Sequence, residues 1–451
     1  MYECVGTYDT SRGRGHCQPT DEIRQWAARL GGTLGDGRLV GYAVAVVSDA
    51  PAPVYMLSLQ RDFRCGHSGA CCTFGWHIPA EPATHASVAN AIRTGRLPLP
   101  CRRRDDDRDE DEAWIDTRHP PEGAVGVLEV RADGACVFFD PDAGRFCAIQ
   151  RALGHDALPL TCQQFPRISV LDDRGAHVAL SHFCPTVAAA LIREDDPAVE
   201  IVRLADDDPA RRRVEGFDAR EAVPPFLRPG VAIDLPGYDA WERGIVRALG
   251  RPGADPDTTL AAIADAAEDL RGWRPSRGSL AGDIERVLGT VAAPPTVRSH
   301  ACGYAAMARL FDTVAACVPE GLPRPSLPPD WEAADEFWVA PAWAGLSVPI
   351  GRFLAAKAFA SSIAWQGEGV RTQMVGLAAA RAVLRVEAAR RAEAAGRACD
   401  AGMLVEAARA ADALIEHLSD RPTLVRRWAG FEVLLPDAFL AGLGLGLGDA
   451  P

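Results

Sequence analysis

The chain has 451 residues, 48% of them hydrophobic and 24% charged, with a formal charge of −13. That composition excludes a disordered polymer and suits a soluble globular protein of two or three domains. The negative balance argues against a duplex nucleic-acid binder, which needs a basic face for phosphates, and favours a basic partner.

No basic-then-apolar leader is evident, and no uncharged apolar run approaches the ~20 residues that span a bilayer. The expectation is a cytoplasmic protein with no membrane partner. Lys357 is the only lysine in a chain rich in Arg, Ala, Gly and Pro, a pattern read as GC-rich coding bias. Thirteen cysteines, an odd number in a long chain without an export signal, point to metal in a reducing compartment rather than to disulfides.

In chain order, residues 1–52 read as an N-terminal extension, with one short helix in "DEIRQWAARLGG", one strand in "RLVGYAVAVVS", and Cys4 and Cys17 apart from the main cluster. Residues 53–193 read as a loop-rich cysteine-cluster metal-binding domain. A mixed-charge run beginning "CRRRDDDRDEDE" is expected to form a solvated loop insertion over 101–118. "VGVLEVRADGACVFFD" alternates like a small β-hairpin around Asp133-Gly134, and "GRFCAIQRALG" reads as a turn entering a helix closed by Gly154.

Residues 194–451 read as an α-helical domain, with helices expected at 257–272, 298–317, 350–366, 368–395 and 401–418. In the fourth, Val370, Met374, Leu377 and Leu384 share one face and Arg371 and Arg385 lie off it. Pro-rich stretches near 318–330 and 339–349 read as loops. Cys302, Cys317 and Cys399 read as small buried hydrophobes. The fold class is therefore mainly α, with the metal domain ahead of the helical one.

Seven cysteines remain as a metal-ligating set: Cys65, Cys71, Cys72, Cys136, Cys147, Cys162 and Cys184. Their neighbours are Gly, Arg, Asp, Pro and Thr where a core would supply apolar residues, and the small residues of "GHSGACC" let backbone N–H groups approach sulfur. Thiolates need compensating donors, and Arg61, Arg64, Arg145, Arg151 and Arg167 lie near them in sequence. Arg167, His67 and His182 are the expected supporting groups beside the sulfurs, and either histidine could replace a thiolate. Trp76 and Phe74 are expected to wall the site from water. Four thiolates suit zinc or a [4Fe-4S] iron–sulfur cluster equally, and seven exceed what one tetrahedral ion uses.

The order of these pieces, "RDFRCGHSGACCTFGWHI", "CVFFDPDAGRFCAIQRALGHDALPLTCQQFPRI" and "LSHFCPTVA", resembles the YkgJ-like zinc/iron-chelating cysteine-cluster family. Within it the chain is most similar to the flagellin lysine-N-methylase (FliB-type) branch. Cys71-Cys72 with Trp76, Cys136 with Phe138, Cys147 to Gln150 with Leu153-Gly154, Cys162 to Arg167, and Cys184-Pro185 fill the family's places over about residues 55–192. The resemblance implies a protein lysine N-methyltransferase that uses S-adenosylmethionine on a basic, lysine-bearing protein such as flagellin.

The residues themselves show no nucleotide-binding fingerprint. "GLGLGLGD", Gly442 to Asp449, has alternate glycines but no following helix and reads as a flexible tail. Three readings stay open: a methylase, a metal chelator or chaperone, and an interaction protein stapled by metal.

Overall fold

The computed structural model describes residues 53–98, 114–141, 146–193, 198–208, 211, 214–220, 222–291, 304–320, 322, 324–366 and 369–434. The expected elements of 1–52, Cys4, Cys17, Cys101, Cys302, Arg145, most of the charged run and Gly442–Asp449 lie outside them. The chain divides into two compact units, one formed by residues 63–167 with 184–187, the other by the remainder. The smaller unit is thus narrower than the 53–193 segment read as one domain.

The smaller unit has an apolar core of its own. Helix Pro82–Arg93 starts on a proline, whose missing N–H costs nothing in a first turn, and buries Val88, Ala91 and Ile92 at helical spacing. These meet Ile78, Trp114, Leu128, Phe138, Ile149 and Leu158 in one cluster. Trp114 is fully buried, its ring 5.7 Å from Phe138 and 5.3 Å from His85.

The charged insertion, expected to run to 118, therefore gives way to core by Trp114. Strand Ile115–Asp116 follows and pairs antiparallel with Gly126–Leu128, which also pairs antiparallel with Pro79–Ala80. Those partners explain why the expected hairpin around Asp133-Gly134 is reduced to one bridge, Val130 to Cys136. The turn itself forms, with Gly134 at φ 81° and the Ala135 N–H donating to Asp133 Oδ1 at 3.0 Å.

The larger unit contains a five-stranded sheet in the order Phe217–Asp218, Arg167–Asp172, Gly175–Leu180, Val54–Leu57, Ile201–Arg203. Val54–Leu57 runs parallel to Gly175–Leu180 and antiparallel to Ile201–Arg203. Several of its helices start on aspartate caps: Asp234 accepts from the Gly237 N–H at 2.9 Å, Asp255 from the Thr258 N–H at 2.7 Å and Asp400 from the Met403 N–H at 2.8 Å. Each such cap contributes about 1 kcal/mol.

Helices Pro256–Arg271, Tyr304–Ala315, Val370–Ala395 and Ala401–Asp412 fall where the periodicity placed them, whereas the single helix expected over 350–366 is broken at Phe359 into Ser347–Ala358 and Ile363–Gln366. Helix Val370–Ala395 is buried nearly all round rather than on one face. Arg371 pairs with Glu268, Arg381 with Asp257, and Arg385 with Asp335 at 2.7 Å. The stretch 339–349, read as a loop from its prolines, is helical instead. Pro341 follows directly on the π-helical turn Asp335–Val339, in Ala340–Trp343.

The continuous helical stretch Trp331–Ala358 is the one helix among the described residues long and apolar enough to cross a membrane, and 56% of its apolar window is buried inside the protein. Core helices carry that burial. Cys317 and Cys399 are buried in the same core, as expected.

Candidate metal centre

All nine described cysteines are free thiols. Cys65, Cys71, Cys72, Cys136, Cys147, Cys162 and Cys184 belong to the smaller unit. The loop "GHSGACC" is closed by the Cys72 N–H donating to Gly69 O at 2.9 Å. Cys72 O in turn accepts from the Cys136 N–H at 2.6 Å, which ties the turn after Gly134 to the paired cysteines. Phe139 lies opposite Cys147 in a two-stranded ladder. Cys147 then caps helix Ala148–Leu153, which ends at Gly154 with φ 90°. Cys162 sits in helix Leu160–Gln164, and Cys184 directly precedes helix Pro185–Ala189.

Local backbone geometry treats several of these sulfurs as thiolates in waiting. Main-chain N–H groups favour the ionised sulfur at Cys136, from Phe138, at Cys147, from Gln150 and Ile149, and at Cys184, from Val187 and Thr186. At Cys65 the His67 N–H donates to Sγ at 3.4 Å. A core cysteine inside a strand or helix finds no such donor, because those N–H groups are spent on the ladder or the preceding turn.

Burial works against ionisation. It pushes the Cys136 thiol up to about 12, and raises Cys147, Cys162 and Cys184 as well. The charges of neighbouring cysteines add to this: Cys147 and Cys71 act on Cys136, and Cys136, Cys147 and Cys71 act on Cys162. Cys71 is held below the usual thiol range by the hydrogen bond from Cys72, and that same bond drives Cys72 far upward.

The Cys71 and Cys72 sulfurs are 3.9 Å apart, well beyond the ~2.05 Å of a disulfide. Two sulfurs at ~2.3 Å from one tetrahedral zinc would be about 3.8 Å apart, so this pair already spans one edge of such a site. Among the described residues, no three His, Cys, Asp or Glu side chains are drawn to one point where they could hold a metal ion. The sulfurs feel one another's charge, and side-chain rotation would have to bring further thiols to the pair.

Of the expected supporting groups, His67 lies beside Cys65, with Nδ1 3.8 Å from Sγ, and its ring stacks on Phe146 at 4.0 Å. Arg151 forms two 3.1 Å hydrogen bonds to Asp140 while favouring the Cys147 thiolate. Arg167 opens strand Arg167–Asp172 after a cis Phe165–Pro166 bond. Phe165 packs edge-on to Trp76 at 5.1 Å, and Trp76 meets Phe74 at 5.3 Å. Arg131 was not singled out by sequence; it favours the Cys136 thiolate and donates to Phe139 O at 3.0 Å.

No family model, curated protein or solved structure matches the chain. The family resemblance accordingly rests on the motifs quoted above.

His182 has a different setting from the one expected beside the metal. It belongs to the larger unit, fully buried, with Nδ1 3.7 Å from Asp412 Oδ2 and its ring against Phe353. Asp412 accepts from the His182 N–H at 2.5 Å and from Ser181 Oγ at 3.0 Å, and pairs with Lys357. Lys357 also donates to Glu416 at 3.2 Å, and Glu416 pairs with Arg421. Two acids and two bases thus balance in the interior. Nothing in the helical periodicity signalled this cluster, since its members come from segments 230 residues apart.

Proposed function

We propose that the smaller unit is a thiolate metal centre, with its ligands drawn from Cys71, Cys72, Cys136, Cys147, Cys162 and Cys184, in a metal-binding cysteine-cluster protein of the cytoplasm. The observation that carries this reading is the Cys71–Cys72 pair, its sulfurs 3.9 Å apart and its backbone tied to Cys136 by the Cys136 N–H donating to Cys72 O at 2.6 Å. Only a thiolate binds the metal, and main-chain N–H groups favour that form at Cys136, Cys147 and Cys184.

The 3.9 Å Cys71–Cys72 separation favours both sulfurs on one ion, and so zinc over a cluster that spreads its ligands over several irons. The bound cation would displace the thiol protons of its ligands and cancel the mutual repulsion that adds to burial in raising them. The unit's own apolar core supports a site held by a fold over a fold held by a site.

Anaerobic purification followed by metal analysis and an absorption spectrum tests the reading. Zinc near one equivalent and no visible colour is expected; a brown, iron- and sulfide-containing protein would replace zinc by a cluster. Protein that neither carries nor takes up either metal would refute it. The lysine N-methylase activity that the resemblance implies is tested by incubating the loaded protein with labelled S-adenosylmethionine and a basic, lysine-bearing protein such as flagellin.

A further inference from the structure

The continuous helical stretch Trp331–Ala358 of the larger unit presents an apolar row to solvent. Ala333, Phe337, Pro341, Ala344 and Val348 are all exposed, and their three- and four-residue steps put them on one side of the helix. Phe337 is 69% exposed and Val348 43%. No charged residue lies between Glu336 and Arg352, and Arg352 is buried, so no charge interrupts the row.

The exposure of Phe337 is fixed from beneath. Asp335–Val339 forms a π-helical turn, a rare geometry that recurs at functional sites. Asp335, fully buried, accepts from the Tyr304 hydroxyl at 3.1 Å and from the Arg385 guanidinium at 2.7 and 2.9 Å. The Cys399 N–H donates to Trp338 O at 2.9 Å. Asp335 and Val339 are thereby held inward while Phe337 stands outward, its ring edge-on to Trp338 at 4.4 Å. A large aromatic presented on a rigid element is the kind of side chain that anchors an interface.

Independently of the metal-centre reading, we propose that this row docks an amphipathic helix of a partner protein, apolar along one face and carrying arginine or lysine at one end. Size and charge choose the occupant. From Ala333 to Val348 the row is about 22 Å long and one helix wide. An amphipathic helix of about four turns covers it, whereas a stable dimer of the chain needs about 800 Å² from each copy. Glu332 and Glu336 are exposed beside Ala333 and Phe337, and neither meets a base among the described residues. They attract basic side chains at that end of the row and repel an anionic lipid surface, which takes up helices flanked by Lys and Arg.

The test uses the full chain and a fluorescein-labelled peptide of about 18 residues, patterned as a helix with leucines along one face and arginines at one end. Binding is followed by fluorescence anisotropy at about 0.15 M salt, which screens the net charge of the chain. Phe337→Asp is expected to weaken binding at least about tenfold, and Val348→Asp, at the far end of the row, to weaken it as well. Glu332→Lys with Glu336→Lys is expected to weaken it to a similar degree and to turn the preference toward a peptide with glutamates in place of the arginines. These positions are exposed, so thermal melts of the variants should match wild type. A wild-type chain that ignores the peptide, or binding unchanged in Phe337→Asp, would overturn the proposal. A concentration-dependent dimer abolished by Phe337→Asp would give the face to a second copy of the chain, and binding to phosphatidylserine-containing vesicles lost in that variant would give it to lipid. Either result overturns the partner helix.

Discussion

His417 donates its Nε2–H to Ser181 Oγ across 2.8 Å, because the Ser181 hydroxyl proton is already committed to Asp412 at 3.0 Å. The order is the reverse of a nucleophile activated by a base, so the trio is structural. Burial holds the His417 imidazole down at about 4, from 6.5, and burial also lowers His182. Below pH 6.5 the unfolded chain binds protons that the folded chain refuses. Stability is therefore complete above that pH and is lost as pH falls through about 4, by about 3 kcal/mol from His417 alone. Thermal melts of the helical unit at pH 7.5 and 5 should show a drop that His417→Gln flattens. Parallel pH profiles for the two proteins would contradict this.

Lys357→Met should destabilise the larger unit by about 3 kcal/mol, because it leaves Asp412 and Glu416 as buried acids without their shared cation. Asp412 is held far below the usual carboxylate range: burial opposes ionisation, but Lys357 and His182 outweigh it. The N–H of His182 and the hydroxyl of Ser181 remain as donors, which places the loss toward the lower end for a broken buried pair. Urea unfolding measures it, and a change under 1 kcal/mol would mean the pair is balanced by its desolvation.

Two glycines separate backbone strain from steric clash. Gly69 has φ 76° and a Cβ there would meet the Phe139 ring at 2.6 Å, whereas Gly134, at φ 81°, has open space. Gly134→Ala should cost about 1 kcal/mol through conformation alone. Gly69→Ala should cost about 2–4 kcal/mol and should also weaken metal retention, because Gly69 O anchors the Cys72 N–H. Equal effects of the two substitutions on metal content would sink this distinction.

Arg131→Ala should reduce metal affinity about tenfold by removing a positive charge that favours the Cys136 thiolate. Arg131→Lys should restore part of the loss but not the hydrogen bond to Phe139 O, because a point charge lacks the planar fork. Arg167→Ala is expected to weaken retention by about 10- to 100-fold if that guanidinium serves the sulfurs. Chelator competition ranks the variants.

The sequence made some of this legible and hid the rest for physical reasons. Helix Val370–Ala395 announced itself because alanine and leucine at helical spacing state a local preference. Helix Leu235–Leu249 was not among the expected helices; Pro236 and Gly237 occupy its first turn, where they are tolerated. The turn at Gly134 and the helix closing at Gly154 were readable from glycines, which adopt the positive φ that both positions require. The partners of strand Gly126–Leu128 were not, since pairing is decided by residues tens of positions away. His182 was assigned by its nearness to Cys184 along the chain, yet its surroundings are set by Asp412. Sequence proximity misleads where two units interleave.

Because the chain's single lysine is largely buried, its side chain 9% exposed beside Asp412 and Glu416, its side-chain amine is a built-in reporter. An amine-reactive reagent reaches Lys357 freely only when the surrounding helices part. The rate at which that one position is labelled therefore measures how often they do so, without any probe having been introduced. Labelling that follows global unfolding would place Ser347–Ala358 in the most stable part of the protein. Faster labelling would reveal a local opening of the helix around the buried charges.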